Sequence, residues 1–221
     1  MVITLDQLDI DKQTVLNNIG YHADCEPTTR INSLVNEYVE NSLHLIEPSY
    51  SCLIRNVKSV KKSHVVIDGR LVFKSQVVAR LLELCDQVAI FTSTIGGHLE
   101  EMVSHLAENG LVLKATVLDT IGSVTVERLA DFVQERVGKV VGARGLSISR
   151  RFSPGYCDWN IEQQVNIFKA MNGNSGGIYL KKSHLMLPQK SISGIIGIGN
   201  NEVVNYNPCK TCDRKDCVCR R

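Results

Sequence analysis

The most distinctive stretch of the chain is RRFSPGYCDW, residues 150–159. Pro154 fixes one backbone dihedral, and Gly155 removes a side chain where a ligand could approach the backbone. Arg151 offers a planar guanidinium suited to a carboxylate, and Tyr156 and the chain's only tryptophan offer flat surfaces with polar edges. These residue types fit a small ligand with a carboxylate and an aromatic base. Composition alone favours the alternative, a strand-to-helix corner whose aromatic rings close one edge of the core.

The sequence on both sides of this stretch predicts a mixture of helices and strands. Helical patterns cover residues 11–19, 28–46, 75–84, 98–108, 113–140 and 160–171. Strand patterns cover residues 49–60, 65–73, 87–93, 147–152 and the end of 185–198. Because the two types do not alternate regularly, we expect an α+β fold with a mixed, largely antiparallel sheet and flanking helices.

Length and composition favour an ordinary globular protein. The 221 residues are 43% hydrophobic and 22% charged, and they contain no run of eighteen apolar residues that could span a bilayer. The first twelve residues carry acids where a signal peptide would carry bases, so we expect a cytoplasmic protein without a membrane partner. A net charge of +2 without a basic block argues against a nucleic-acid partner.

Four cysteines crowd into the C-terminus. Composition changes only near residue 205, so we predict one domain over residues 1–204 and a cysteine-rich tail over residues 205–221. The tail places four thiols at Cys209, Cys212, Cys217 and Cys219. Thiolates at this density could bind zinc or an iron–sulfur cluster, with three or all four of them as ligands. Free or reversibly oxidised thiols are equally compatible with the spacing.

Three motifs, in order, resemble the reactivation domain of cobalamin-dependent methionine synthase, which binds S-adenosylmethionine. The central motif is R-x-S-P-G-Y-x-D-W at residues 151–159. The preceding helix carries E-R-L-A-D at 127–131 and E-R-V at 135–137, and the following segment reads L-M-L-P-x-K-S-x-S-G at 185–194. The resemblance is clear over residues 113–198, and it implies the fold of that domain.

The resemblance also implies a ligand site. In that family an arginine at the position of Arg151 contacts S-adenosylmethionine, and a glutamate at the position of Glu127 lies near the amino end of the ligand. The backbone of the turn approaches the ligand at Ser153, Pro154, Gly155 and Tyr156. Charge agrees with these assignments, because Arg151 can neutralise a carboxylate and Glu127 can balance an ammonium or a sulfonium. The alternative for Glu127 is that it binds no ligand and is an exposed helix residue that pairs with a neighbour on its own helix.

The implied function is the reductive methylation, or reactivation, of cobalamin. The chain lacks a D-x-H-x-x-G corrinoid motif, so cobalamin would arrive on a separate methionine synthase or other corrinoid methyltransferase. The chain would then act as a methyltransferase component in methionine biosynthesis, with flavodoxin or ferredoxin as electron donor and no catalytic acid or base of its own.

Two family positions are not matched. The family has an aspartate near its N-terminus that contacts the ligand, and this residue cannot be placed here. The family also has a tyrosine pair near its C-terminal end, where this chain continues into Gly-Ile-Gly at residues 197–199. Two alternatives therefore stay open. One is a metal or iron–sulfur module that passes electrons to a corrinoid protein, and the other is a non-catalytic partner that has lost ligand binding.

Overall fold

The structure, a computed structural model, describes residues 8–22, 24–68 and 71–210. The helices are α1 (Lys12–Asn18), α2 (Thr29–Asn41), α3 (Gln76–Leu81), α4 (His98–Glu108), α5 (Val112–Gly142) and α6 (Gln164–Met171). The strands are β1 (Ser49–Lys61), β2 (His64–Ile67), β3 (Leu71–Lys74), β4 (Cys85–Thr94), β5 (Ser147–Ile148), β6 (Tyr179–Leu180), β7 (Met186–Leu187) and β8 (Ser191–Gly199). Short 3₁₀ segments cover Leu43–Leu45, Ile161–Gln163, Asn201–Asn205 and Pro208–Lys210.

Six strands form the central sheet in the order β3-β2-β1-β4-β8-β5. Each neighbouring pair is antiparallel, and the longest ladders join β4 to β1 and to β8. Strands β6 and β7 pair separately as a two-stranded sheet. The α+β prediction with a largely antiparallel sheet and flanking helices is confirmed. The sheet is not mixed, since the pairs among the described strands are all antiparallel.

Helices cover both faces of the sheet. Along β4, Val88 and Ile90 pack with α3 and α6, whereas Ala89 and Phe91 pack with α5. This alternation follows from the two-residue period of a strand, which sends successive side chains to opposite faces. Residues of α5 also enter the two apolar clusters formed with α4 and with α1 and α2. The long helix α5 is therefore the element that joins the sheet to the N-terminal helices. Judged by length and hydropathy, none of the described helices is a candidate membrane-spanning segment.

Two predicted elements end earlier than their patterns. The second helix ends at Asn41 instead of continuing to residue 46, because the chain tightens into a 3₁₀ turn over Leu43–Leu45, in which the Leu45 amide donates to the Ser42 carbonyl three residues back. The predicted strand over 147–152 keeps only two residues. At Ser149 the side-chain hydroxyl, instead of the backbone carbonyl, accepts from the Gly197 amide, which interrupts the ladder.

Candidate ligand site

A cavity of about 630 Å³ lies beside β8, next to the sheet edge where β5 stops. Its lining residues come from α5, from residues 150–154 and 156, from α6, β7 and β8, and from residues 207–209. The volume falls within the range of small-molecule sites in proteins, about 300–1,000 Å³.

The backbone of residues 152–159 is fixed by pairing and by aromatic packing. Phe152 and Ile195 exchange both backbone hydrogen bonds at 2.9 Å, which attaches the segment to β8. Gly155 adopts a φ of 98°, and its amide donates to the Trp159 carbonyl at 2.7 Å. The fully buried Trp159 ring lies stacked on Phe152, with centroids 5.8 Å apart. The turn is thus packed against the core through Phe152 and Trp159. The positive φ explains why a glycine occupies position 155.

Asp158 anchors the far side of the same turn. Its carboxylate accepts hydrogen bonds from the Ser75 hydroxyl at 2.6 Å and from the amides of Gln76 and Val77 at the start of α3. A carboxylate at this position is stabilised by the free amides and by the dipole of the helix N-terminus. The motif aspartate therefore joins the turn to α3 and does not line the cavity.

A charged wall forms where residue 151 meets α5. The Arg151 Nη2 atom donates to Glu127 Oε2 at 2.7 Å and to Asp131 Oδ1 at 2.8 Å, and Nε lies 3.3 Å from the same Asp131 oxygen. Gln134 accepts from the Arg151 backbone amide at 3.0 Å. The Arg151 side chain is 14% exposed, against 40% for Glu127 and 41% for Asp131. Burial by itself lowers the pKa of Arg151, but Asp131 and Glu127 outweigh it and raise that pKa, so the guanidinium stays charged.

Five of the six residues predicted to bind the ligand line this cavity: Glu127, Arg151, Ser153, Pro154 and Tyr156. Gly155 does not line it and instead supplies the positive φ of the turn. Their assignment as ligand-binding residues stays a prediction. Glu127 pairs with Arg151 across the fold, which differs from the alternative of a pairing within its own helix.

Sequence reasoning missed several lining residues. Asp131 follows Glu127 by four positions, the spacing that places two side chains on one helix face, so this signal was present in the sequence. Gln164 and Ser193 reach the cavity only through tertiary folding, from α6 and β8. Ser193 belongs to the motif at residues 185–194, but that motif assigned no ligand contact to it, and no local pattern distinguishes Gln164.

The predicted metal site falls mostly outside the described residues. Cys209 lines the cavity together with Asn207 and Pro208, whereas Cys212, Cys217 and Cys219 lie beyond residue 210. Within the described part of the chain, no group of three or more metal-binding side chains is found. Zinc or cluster binding by the tail, like the domain boundary at residue 204, stays a prediction.

Comparison with known proteins supports the fold. No family model matches the chain, and no curated protein matches it. The fold is similar to that in a crystal structure of the MetH reactivation domain bound to AdoHcy, with a TM-score of 0.62 and 16% sequence identity. The similarity covers 76% of this chain and 64% of that one, so the chain matches less than two thirds of the length of its structural neighbour. The resemblance found in the sequence motifs is confirmed at the level of the fold.

Proposed function

We propose that the chain binds S-adenosylmethionine in the cavity beside β8 and supports reductive methylation of cobalamin carried by a separate protein. One observation carries this proposal. The Arg151 guanidinium, the Glu127 carboxylate and the turn at residues 153–156 lie around one cavity, in a fold similar to a domain solved with AdoHcy.

The charges of the wall complement those of the ligand. S-adenosylmethionine has one carboxylate and two cationic groups, an ammonium and a sulfonium. Arg151 Nη1 makes no hydrogen bond within the described residues, so this atom is the donor we assign to the ligand carboxylate. Glu127 and Asp131, both partly exposed, provide two carboxylates for the two cationic groups.

The contribution of the chain to the reaction is positioning. Cobalamin on the partner would supply reduced cobalt as the nucleophile, and S-adenosylhomocysteine would be the leaving group once the methyl group is transferred. The turn is attached to β8 by Phe152 and is backed by Trp159, so a ligand held against it has a fixed orientation. Holding two reactants in a productive geometry lowers the entropic part of the barrier. No side chain needs to act as an acid or base. In this proposal a separate corrinoid protein carries the cobalamin, and a flavodoxin- or ferredoxin-type protein donates the electron.

Titration calorimetry with S-adenosylmethionine and with S-adenosylhomocysteine tests ligand binding. We expect Arg151→Ala to weaken both affinities about a hundredfold, and Arg151→Lys to weaken them about tenfold, because lysine keeps the charge but not the planar fork. Arg144→Ala is the matched control, since Arg144 is exposed and does not line the cavity. Absence of binding to the wild type at millimolar ligand, or wild-type affinity in Arg151→Ala, contradicts the proposal.

We also propose that Cys209, Cys212, Cys217 and Cys219 bind zinc or an iron–sulfur cluster. Cys209 lies on the cavity wall, so a metal held there would lie beside the bound ligand. Metal analysis and anaerobic absorbance spectra of the full chain test it. Protein that is colourless and metal-free after anaerobic purification contradicts it and favours free or oxidised thiols.

A further inference from the structure

Ser193 is buried in β8 with no partner for its hydroxyl. The residue is 2% exposed and lines the cavity. Its Oγ atom is inaccessible to solvent and makes no hydrogen bond within the described residues. Buried polar groups in folded proteins are almost always paired, so an unpaired one beside a cavity indicates a missing partner.

The backbone of Ser193 is unpaired as well. Ile195 exchanges both its backbone hydrogen bonds with Phe152, so its amide and carbonyl point away from β4. Because hydrogen-bonding direction alternates along an antiparallel strand, the amide and carbonyl of Ser193 point to the same edge. The neighbouring segment is paired with β8 at Phe152 and pairs no further along it, and no described residue bonds the Ser193 backbone there. One buried residue thus presents a backbone amide and a carbonyl to the open edge, while its side chain leaves the sheet on the face shared with Ile195, which α3 and α6 cover.

Gln164 provides a second pair of groups in the same cavity. It is the first residue of α6, is 5% exposed, and its Oε1 atom is inaccessible to solvent and accepts no hydrogen bond from the described residues. A carboxamide carries an acceptor and a donor side by side. The Ser193 backbone and the Gln164 carboxamide therefore each offer an acceptor next to a donor at the same cavity.

We propose that Ser193 and Gln164 form a base-binding subsite for the adenine ring of the ligand. Adenine presents its 6-amino group between two ring nitrogens, so it has two edges that each combine a donor with an acceptor. A glutamine carboxamide pairs with such an edge through two hydrogen bonds. The inference rests on the proposed function and deepens it, since it assigns the base to Gln164, which lies outside the motifs, and to Ser193, a motif residue to which the resemblance gave no ligand role.

A ligand pair that differs only in the 6-amino group tests the subsite. The probes are S-adenosyl-L-homocysteine and its analogue with unsubstituted purine as the base, which offers no donor to the Gln164 Oε1 atom. We expect the wild type to prefer the adenosyl compound by about tenfold or more. In Gln164→Leu we expect a smaller preference, because only the Ser193 carbonyl is then left to accept a hydrogen bond from the 6-amino group. Arg151→Ala, the matched control, weakens both compounds by the same factor, because Arg151 is assigned to the amino-acid end.

The melting temperature without ligand separates a binding role from a packing role. Removing a buried oxygen that has no partner does not break a hydrogen bond, so Gln164→Leu should melt at the wild-type temperature or above it. Equal losses for both compounds with a lower melting temperature would assign Gln164 to the core and overturn the subsite. A wild-type preference that persists unchanged in Gln164→Leu also overturns it, with the proposed function intact. A wild type that binds neither compound overturns both.

Discussion

In the proposed function, Arg151 has two roles that use different atoms of its guanidinium. Its Nε and Nη2 atoms bond Asp131 and Glu127, and these bonds hold the guanidinium plane against α5. The other terminal nitrogen, Nη1, is left for a ligand. Pairing with two carboxylates offsets the cost of burying a charge, and it also fixes the direction in which Nη1 can donate. The residue is therefore oriented before a ligand binds, which limits the side-chain entropy lost on binding.

The sequence was informative about single residues where chemistry is local. Arg151 and Glu127 could be assigned through motifs, and both line the cavity. Gly155 was assigned to ligand approach, although its positive φ shows that the turn itself requires glycine. The roles proposed for Ser193 and Gln164 could not be assigned, because they depend on which edge of β8 stays open and on which side chains α6 buries. Both are set by contacts between residues far apart in the chain.

Strand β8 and the segment beside it show how an element shapes the site. Gly194 lies where a Cβ atom would come within 2.9 Å of the Phe152 carbonyl oxygen and 3.0 Å of Ser153 Oγ. The missing side chain therefore lets the turn approach β8 closely. A glycine inside a strand often marks a close backbone approach, and the contacts at Gly194 agree with that rule.

A methyl group at residue 194 should therefore disturb both stability and binding. The Phe152 carbonyl belongs to the backbone and cannot rotate away, so Gly194→Ala must push the turn outward. We expect a loss of about 1–3 kcal/mol in the free energy of unfolding, measured by chemical denaturation, and weaker binding of S-adenosylhomocysteine. Gly142→Ala, at the end of α5, is the control, because a Cβ atom added there would meet no described atom within 4 Å beyond the backbone of its own helix. Equal stability of the two variants would show that the approach at Gly194 relaxes without cost.

Elements were predicted well where the periodic pattern was long, and less well where side chains replace backbone groups. The pattern over 98–108 matches α4, and the one over 113–140 lies within α5. The strand after α5 was predicted too long. Alternating residues over 147–152 are typical of a strand, but the Ser149 hydroxyl takes the place of a backbone acceptor, which a hydrophobic pattern does not reveal.

At the scale of the whole molecule, the end of the described chain returns to the site. After β8 the chain turns back, and Tyr206 packs against the apolar cluster that contains Phe152 and Trp159. The Arg80 guanidinium lies 5.6 Å from the centroid of the Tyr206 ring, a cation–π contact that holds the segment against α3. Residues 207–209 then complete one wall of the cavity. The segment that leads into the cysteine-rich tail is thus part of the candidate site.

Two truncations test whether residues 206–209 belong to the site. A chain ending at residue 205 lacks Tyr206 and the wall formed by Asn207, Pro208 and Cys209, whereas a chain ending at residue 210 keeps them. We expect the shorter chain to bind S-adenosylhomocysteine at least about tenfold more weakly, because part of the surface that excludes water from the ligand is gone. Its melting temperature should also fall, since Tyr206 no longer covers the apolar cluster. Calorimetry and thermal unfolding of the two chains measure both effects. Equal affinities would mean that the cavity binds its ligand without this wall and that the tail acts independently of the site.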